Sequence, residues 1–168
     1  MEKILHTPVL LNEVLEMLNP QPGGRYIDAT VNGGGHAKAI LDRIGEGGAL
    51  LGIDRDPLLI AELKKKFSDV KNFIPVCGSY ADIDKIAIMY GFNAVHGIFF
   101  DLGFSSYHVE ASRRGFSFLR DEPLDMRYDP VTTRLTAAII VNTWPETELA
   151  RIAVAYGQER FAKRIAAM

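Results

Sequence analysis

The sequence is poor in the features that mark several large protein classes. It holds one cysteine in 168 residues, which excludes an internal disulfide framework and fits a reducing cytosol. That residue, Cys77, is expected as a small core filler rather than a reactive thiol. No apolar run comes near the ~20 residues that span a bilayer. The first residues, with Glu2, Lys3 and His6, carry no signal-peptide core, so no membrane partner is expected. Charge of one sign is lacking too: 19 basic against 21 acidic residues argue weakly against a protein that coats nucleic acid indiscriminately. His6, His36, His96 and His108 lack ligand-like spacing, and no metal site is expected. No internal repeat or low-complexity tract is present. What remains is globular in composition, 48% hydrophobic and 24% charged, and long enough for one ordinary core.

Along the chain, Thr7-Pro8 reads as a helix start, a capping hydroxyl followed by proline. Val9, Leu10, Leu11, Val14, Leu15 and Leu18 give that helix an apolar stripe. Pro20 to Gly24 breaks it. Tyr26-Ile27-Asp28 is then a short strand, Asn32 to Gly35 a permissive loop, and His36 to Ile44 a helix. The unit repeats. Ala49 to Ile53 is a buried strand ending in Asp54, and Asp56-Pro57 caps a helix with Leu59, Leu63 and Phe67 inward and Lys64-Lys65-Lys66 on its solvated side. Phe73 to Val76 is a third strand, at a sheet edge because of Pro75. Ile83, Ile86, Ala87 and Tyr90 mark a helix stopped at Gly91, and Ala94 to Phe100 a fourth strand ending in Asp101. Strands alternating with helices at this spacing predict a parallel α/β sheet with ligands at the strands' C-terminal ends. Asp28, Asp54 and Asp101 are expected there.

Beyond Ser106 the character changes. Residues 1–108 hold ten basic and thirteen acidic side chains, residues 109–168 nine and eight. Positions 109–130 are dense in arginine, acid, glycine and phenylalanine. A helical stripe of Leu149, Ile152, Ala153 and Tyr156 follows Pro145, and another helix begins near Gln158 and runs to Met168. The expected division is 1–108, the N-terminal part of a Rossmann-like domain, and 109–168, a loop and an incomplete helical insertion.

The glycine loop fails the nicotinamide fingerprint, because the third required glycine, counted from Gly33, is Lys38. Three consecutive glycines permit close backbone approach and unusual φ angles. Such a loop is able to wrap the amino-acid tail of S-adenosylmethionine, although glycine richness alone is equally a mere turn. Asp54, 19 residues past Gly35, is placed to accept hydrogen bonds from ribose hydroxyls. Asp28 either receives the ammonium of such a cofactor or braces the loop.

Asp28-Ala29-Thr30-Val31-Asn32-Gly33-Gly34-Gly35-His36, Asp54-Arg55-Asp56-Pro57, Asp101-Leu102-Gly103-Phe104-Ser105-Ser106, and Arg114-Gly115-Phe116-Ser117-Phe118 through Pro123-Leu124-Asp125-Met126-Arg127 stand in this order. The set resembles the bacterial small-subunit rRNA cytosine-N4 methyltransferases, the MraW/RsmH family, over nearly the whole chain. The resemblance implies a cytoplasmic enzyme with a Rossmann-like methyltransferase sheet. Its methyl donor is S-adenosyl-L-methionine and its partner small ribosomal subunit RNA, methylated at N4 of a cytidine. By position it implies cofactor contacts at Gly34, Gly35, His36, Asp54, Tyr80, Asp101 and His108, with Tyr80 near the adenine. Without it, Tyr80 reads as a core aromatic.

Asn32 stands where the family usually has glycine, His108 replaces a glutamine, and Phe104 replaces a small aliphatic residue. Asparagine tolerates left-handed backbone geometry better than most residues. The resemblance also implies that the sheet resumes after the helical insertion. This chain stops inside that insertion, so the later strands and a Ser-Phe-His-Ser-Leu-Glu-Asp segment are missing from it. The rival expectation is therefore a truncated, catalytically inactive S-adenosylmethionine-binding or interaction module; a nicotinamide dehydrogenase is disfavoured by Lys38.

The N4 lone pair of cytosine is delocalised into the ring, so positioning is a large lever, worth up to ~7–11 kcal/mol in well-oriented systems. Asp101 is the candidate acceptor that orients the amine and takes its proton, or else a cofactor ligand only. Phe104, three residues on, is the candidate base-stacking aromatic. Arg113, Arg114, Arg120 and Arg127, interleaved with Phe116 and Phe118, are candidate RNA contacts. Asp121, Glu122 and Asp125 in the same stretch predict that part of this charge is spent on internal salt bridges.

Overall fold

The computed structural model describes residues 8–168; Thr7, and with it the expected cap, lies outside them. The chain divides into two compact units, the first running to Tyr107 and the second spanning His108–Met168.

In the first unit, four strands form a parallel sheet in the order β3-β2-β1-β4. They are β1 (Arg25–Asp28), β2 (Ala49–Asp54), β3 (Phe73–Cys77) and β4 (Gly97–Phe99). Alternation along the strands sends side chains to two cores. Tyr26, Leu50 and Phe73 point to one face and pack with helices α1 (Leu11–Leu18), α2 (Gly35–Ile44) and α3 (Pro57–Lys66) through Leu15, Ile40, Ile44, Ile60 and Leu63. Ile27, Leu51, Ile53 and Val76 point to the other, against helix α4 (Ile83–Met89), Ala87 and Phe92. Each such fully buried aliphatic stabilises the fold by about 1.5–3 kcal/mol. The chain thus changes faces between β3 and β4, and the strand order reverses between β1 and β4. That reversal is where open α/β sheets place their ligands.

Local chemistry explains the element limits. Asp56 is the N-cap of α3, its carboxylate accepting from the Leu58 amide at 2.9 Å, with Pro57 at the first helical position. Helix α1 begins at Leu11 rather than at Pro8, because Leu10 adopts a left-handed conformation, φ 53°. Strand β4 is shorter than the expected Ala94–Phe100. β1, its neighbour, begins only at Arg25, whose carbonyl accepts from His96, so Ala94 and Val95 have no strand beside them to pair with. Asp101 therefore lies two residues beyond the strand. Cys77 is exposed, not a core filler: it is the last residue of the edge strand, where the helices no longer cover it.

The second unit is helical. It holds most of α5 (Ser106–Glu110), then α6 (Ala137–Thr143), α7 (Glu146–Gly157) and α8 (Ala162–Ala166), with an ordered loop between α5 and α6. The α6 helix, unmarked by sequence periodicity, is capped by Thr136 Oγ1 accepting from the Ile139 amide at 3.1 Å. Its first amides, Ala137 and Ala138, donate to Asp125 and Leu124 carbonyls. Helix α8 begins at Ala162, not near Gln158, because Gln158 takes a left-handed conformation that closes α7. Tyr156, expected on the inner stripe of α7, is exposed. Among the described residues no helix is long and apolar enough to cross a membrane.

Candidate functional site

The site is assembled by the four residues that follow β1. Their hydrogen bonds alternate between the two flanking strands. The Ala29 amide donates to the Phe99 carbonyl of β4, and the Val31 amide to the Ile53 carbonyl of β2, both at 2.9 Å. Between them, Thr30 Oγ1 accepts from the Asp101 amide at 2.7 Å. The Asn32 amide then donates to Asp54 Oδ2 at 2.9 Å, and the Asp56 amide to Asp54 Oδ1 at the same distance. Asn32 takes φ 48°, the left-handed geometry asparagine accommodates at least cost among non-glycine residues. Gly34 follows at φ 75°, and a Cβ there would lie 2.7 Å from Leu63 Cδ2. The second of the three consecutive glycines is thus forced both by backbone angle and by α3.

Asp28 is the most unusual side chain here. It is fully buried, 0% exposed. Its Oδ1 accepts from the Thr30 amide at 3.1 Å, while Oδ2 has no hydrogen-bond partner. Burial pushes the carboxyl up to about 7, against the Thr30 hydrogen bond, and the nearby charges of Asp54 and Asp101 push the same way. A buried oxygen without a partner is costly. Such an atom in a native protein points to a ligand, a water or a proton.

Around Asp28 stand the other strand-tip groups. Asp54 ends β2. The Asp101 side chain is about one-third exposed, and its Oδ2 lies 4.0 Å from His36 Nδ1, the outer limit of an ion pair. His36 opens α2 buried, its Nε2 2.9 Å from the Val9 carbonyl and its ring 4.7 Å from Phe99. Tyr80 is exposed in a short turn beyond β3, its ring edge-on to Phe100 at 6.0 Å. Phe100 was not singled out in the sequence. The signal lay in its place: a large aromatic just before Asp101, directly after a strand whose neighbour ends in an acid at the same tip. Phe104 is exposed and follows Gly103, φ 144°. The structure thus brings Asp28, Gly34, Gly35, His36, Asp54, Tyr80 and Asp101 to the C-terminal ends of the strands in one unit.

The remaining candidates belong to the second unit. His108 is buried there, its ring 4.7 Å from Tyr128 and 5.2 Å from Phe116. Arg114 is also buried and donates to the Arg127 and Tyr128 carbonyls at 3.2 and 3.0 Å. Arg127 holds Asp125 bidentately at 2.8 and 2.6 Å and donates to the Thr133 carbonyl at 2.7 Å. That guanidinium holds the Asp125 carboxyl below the usual carboxylate range. Arg120 donates to the Glu110 carbonyl and lies 3.9 Å from Glu122, whose Oε2 accepts the Gly115 amide. Three of the four arginines, Arg114, Arg120 and Arg127, therefore have partners within this unit, Arg120 with 49% of its side chain still exposed. Arg113 is exposed, as is Phe118, at 97%.

A four-stranded parallel sheet with its order reversed between β1 and β4, acids at the strand tips and a glycine turn between them define a Rossmann-like α/β protein. The family model described as the MraW methylase family matches residues 3–168. A protein of Geobacter sulfurreducens named "Ribosomal RNA small subunit methyltransferase H" is 43% identical over 96% of this chain and 52% of its own length. Proteins of the same name from Carboxydothermus hydrogenoformans and Thermomicrobium roseum are 45% and 46% identical, again over 96% of this chain, and over 51% and 49% of their own lengths. Among solved structures, a protein-L-isoaspartate O-methyltransferase overlaps 57% of this chain and 29% of its own at 20% identity, with a TM-score of 0.48. The chain belongs to the MraW methylase family. It spans about half the length of the curated relatives it matches.

Proposed function

We propose that this chain carries the donor-binding part of an S-adenosylmethionine-dependent methyltransferase that modifies N4 of a cytidine in small-subunit ribosomal RNA, in the cytoplasm. The observation that carries the reading is Asp28: a fully buried carboxylate with an oxygen lacking a hydrogen-bond partner, flanked by two further acids. A cationic donor with an ammonium group supplies what that oxygen lacks. The name these relatives carry supports ribosomal RNA of the small subunit as the substrate; cytidine N4 rests on the family resemblance in the motifs.

When bound, the donor supplies an electrophilic methyl group on a sulfonium that leaves as a neutral thioether. The residues of this chain do the rest. Asp28 Oδ2 accepts from the ammonium, and the backbone of Gly34 and Gly35 lets the amino-acid tail pass close to α2. Asp54, held at the tip of β2 with its carboxylate accepting from the Asn32 and Asp56 amides, accepts from the ribose hydroxyls. Tyr80 and Phe100 flank the adenine. Asp101 touches the donor with its carboxylate and also accepts an N–H of the target amine, which concentrates the amine's lone pair on nitrogen, and it takes the proton that the methylated amine sheds. Phe104 stacks on the base, and the exposed Arg113 and Arg120 meet phosphates. For His108, the support is the family's motif position alone.

The test is calorimetry of this chain with S-adenosylmethionine, followed by methyl transfer to 30S subunits by a protein that also carries the relatives' second half. Binding that Asp28→Asn and Asp54→Ala abolish is the expected result. A chain that binds no donor overturns the reading.

A further inference from the structure

The ladder between β1 and β4 ends early. Its last registered pair is Asp28 with Phe99, and the Ala29 amide makes the final backbone bond to β4. Phe100 and Asp101 continue beyond it. A side-chain hydrogen bond ties the backbone of this extension to the residues after β1: Thr30 Oγ1 accepts the Asp101 amide at 2.7 Å across 71 positions of sequence. The amide of the same residue holds Asp28 Oδ1. Thr30 thus grips both acids at the point where the strand order reverses, one through its backbone and one through its hydroxyl.

We infer that Thr30 is a positioning residue, whose hydroxyl fixes the tip of β4 against the tip of β1 so that Asp28 and Asp101 face a single bound donor. The inference rests on the donor reading above. It follows from the chemistry of the contact. Asp101 presents its carboxylate from a segment outside the sheet ladder, so its direction depends on what holds its backbone. An amide hydrogen bond at 2.7 Å is short and sets that direction. Valine has the same shape as threonine but no acceptor. Serine keeps the oxygen and loses only a methyl group.

Three variants test this by calorimetric titration with S-adenosylmethionine, with amide hydrogen exchange at Asp101 read in the donor-free protein. Thr30→Val is expected to weaken donor affinity roughly five- to tenfold, the equivalent of one hydrogen bond, and to speed exchange at the Asp101 amide. Thr30→Ser is expected to keep both close to the parent. Thr30→Ala, which has no γ-methyl groups, is expected to behave as Thr30→Val does and serves if the valine variant folds poorly. A role confined to bracing the loop would lower thermal stability and speed Asp101 exchange in Thr30→Val while leaving donor affinity unchanged. If the parent chain binds the donor and Thr30→Val binds it equally well, or if serine fails to preserve affinity, the inference is overturned alone. If the parent chain binds no donor, the reading it rests on has failed first.

Discussion

At the scale of single residues, the Asp28 carboxyl dominates. Its folded-state value of about 7 lies above the 3.8 it has in a free chain, so between those values the folded protein holds a proton that the unfolded chain has released. Stability must then fall as pH rises through that window, and the full penalty is present above about pH 7. Asp28→Asn keeps an oxygen for the Thr30 amide and carries no charge. The donor-free variant is expected to be more stable than the parent at pH 8, by about 1–3 kcal/mol, and equal to it near pH 4. Urea unfolding at the two pH values checks this, and an unchanged difference between them would sink it. The same variant loses donor affinity. Asp54 behaves in the opposite way: two backbone amides depend on its carboxylate, so Asp54→Ala is expected to cost about 2–3 kcal/mol of stability as well as donor binding. The three acids were legible in the sequence because each ends a strand pattern. Thr30 and Phe100 were not, because their roles come from a hydrogen bond and a ring contact between segments about seventy and twenty positions apart. Arg114 and Arg127 misled in part: arginine reads as an RNA contact until the carbonyls and the carboxylate that occupy it are seen.

At the scale of elements, the strongest constraint lies where the glycine turn enters α2. Gly34 takes φ 75° with α3 directly behind it. Gly34→Ala adds left-handed strain and a contact with Leu63 and Phe67, and is expected to destabilise by about 1–3 kcal/mol. Its effect on donor affinity should be larger still, since the turn moves. Denaturant titration and calorimetry on one preparation separate the two. Asp56→Ala, the α3 cap, is expected to cost about 1–2 kcal/mol; with its carboxylate fully buried, the upper end is the better estimate. The β1, β2 and β3 patterns and the Asp56-Pro57 cap could be read locally, since apolar alternation and capping are short-range signals. The limits of β4 and α8 could not. β4 starts late because β1 offers Ala94 and Val95 no partner, and α8 starts late because of one left-handed residue, Gln158. Neither fact is written in the periodicity of the segment concerned.

At the scale of the whole molecule, stability is expected to be uneven. The first unit buries side chains on both faces of its sheet, with Ile27, Leu51 and Ile53 almost wholly shielded. In the second unit α6 and α7 bury no residue fully, and Ala162 is the buried apolar residue of α8. Its order comes instead mainly from polar contacts, the Arg127–Asp125 pair and the buried Arg114 between two carbonyls, beside one small cluster of rings, His108, Phe116 and Tyr128. Neutral hydrogen bonds return only about 0.5–1.5 kcal/mol each, while buried apolar surface returns ~25 cal/mol for every Å². A unit held by the former opens more often than one held by the latter. Amide exchange should therefore be slowest at Ile27, Leu51 and Ile53 and at least about tenfold faster throughout α6 and α7, a gap of about 1.4 kcal/mol or more. Arg127→Ala should widen it by removing the bidentate pair, leaving the β1 and β2 amides untouched. Uniform protection across both units, or loss of protection in β1 and β2 on that substitution, would mean that the second unit is stabilised by something other than its own polar contacts.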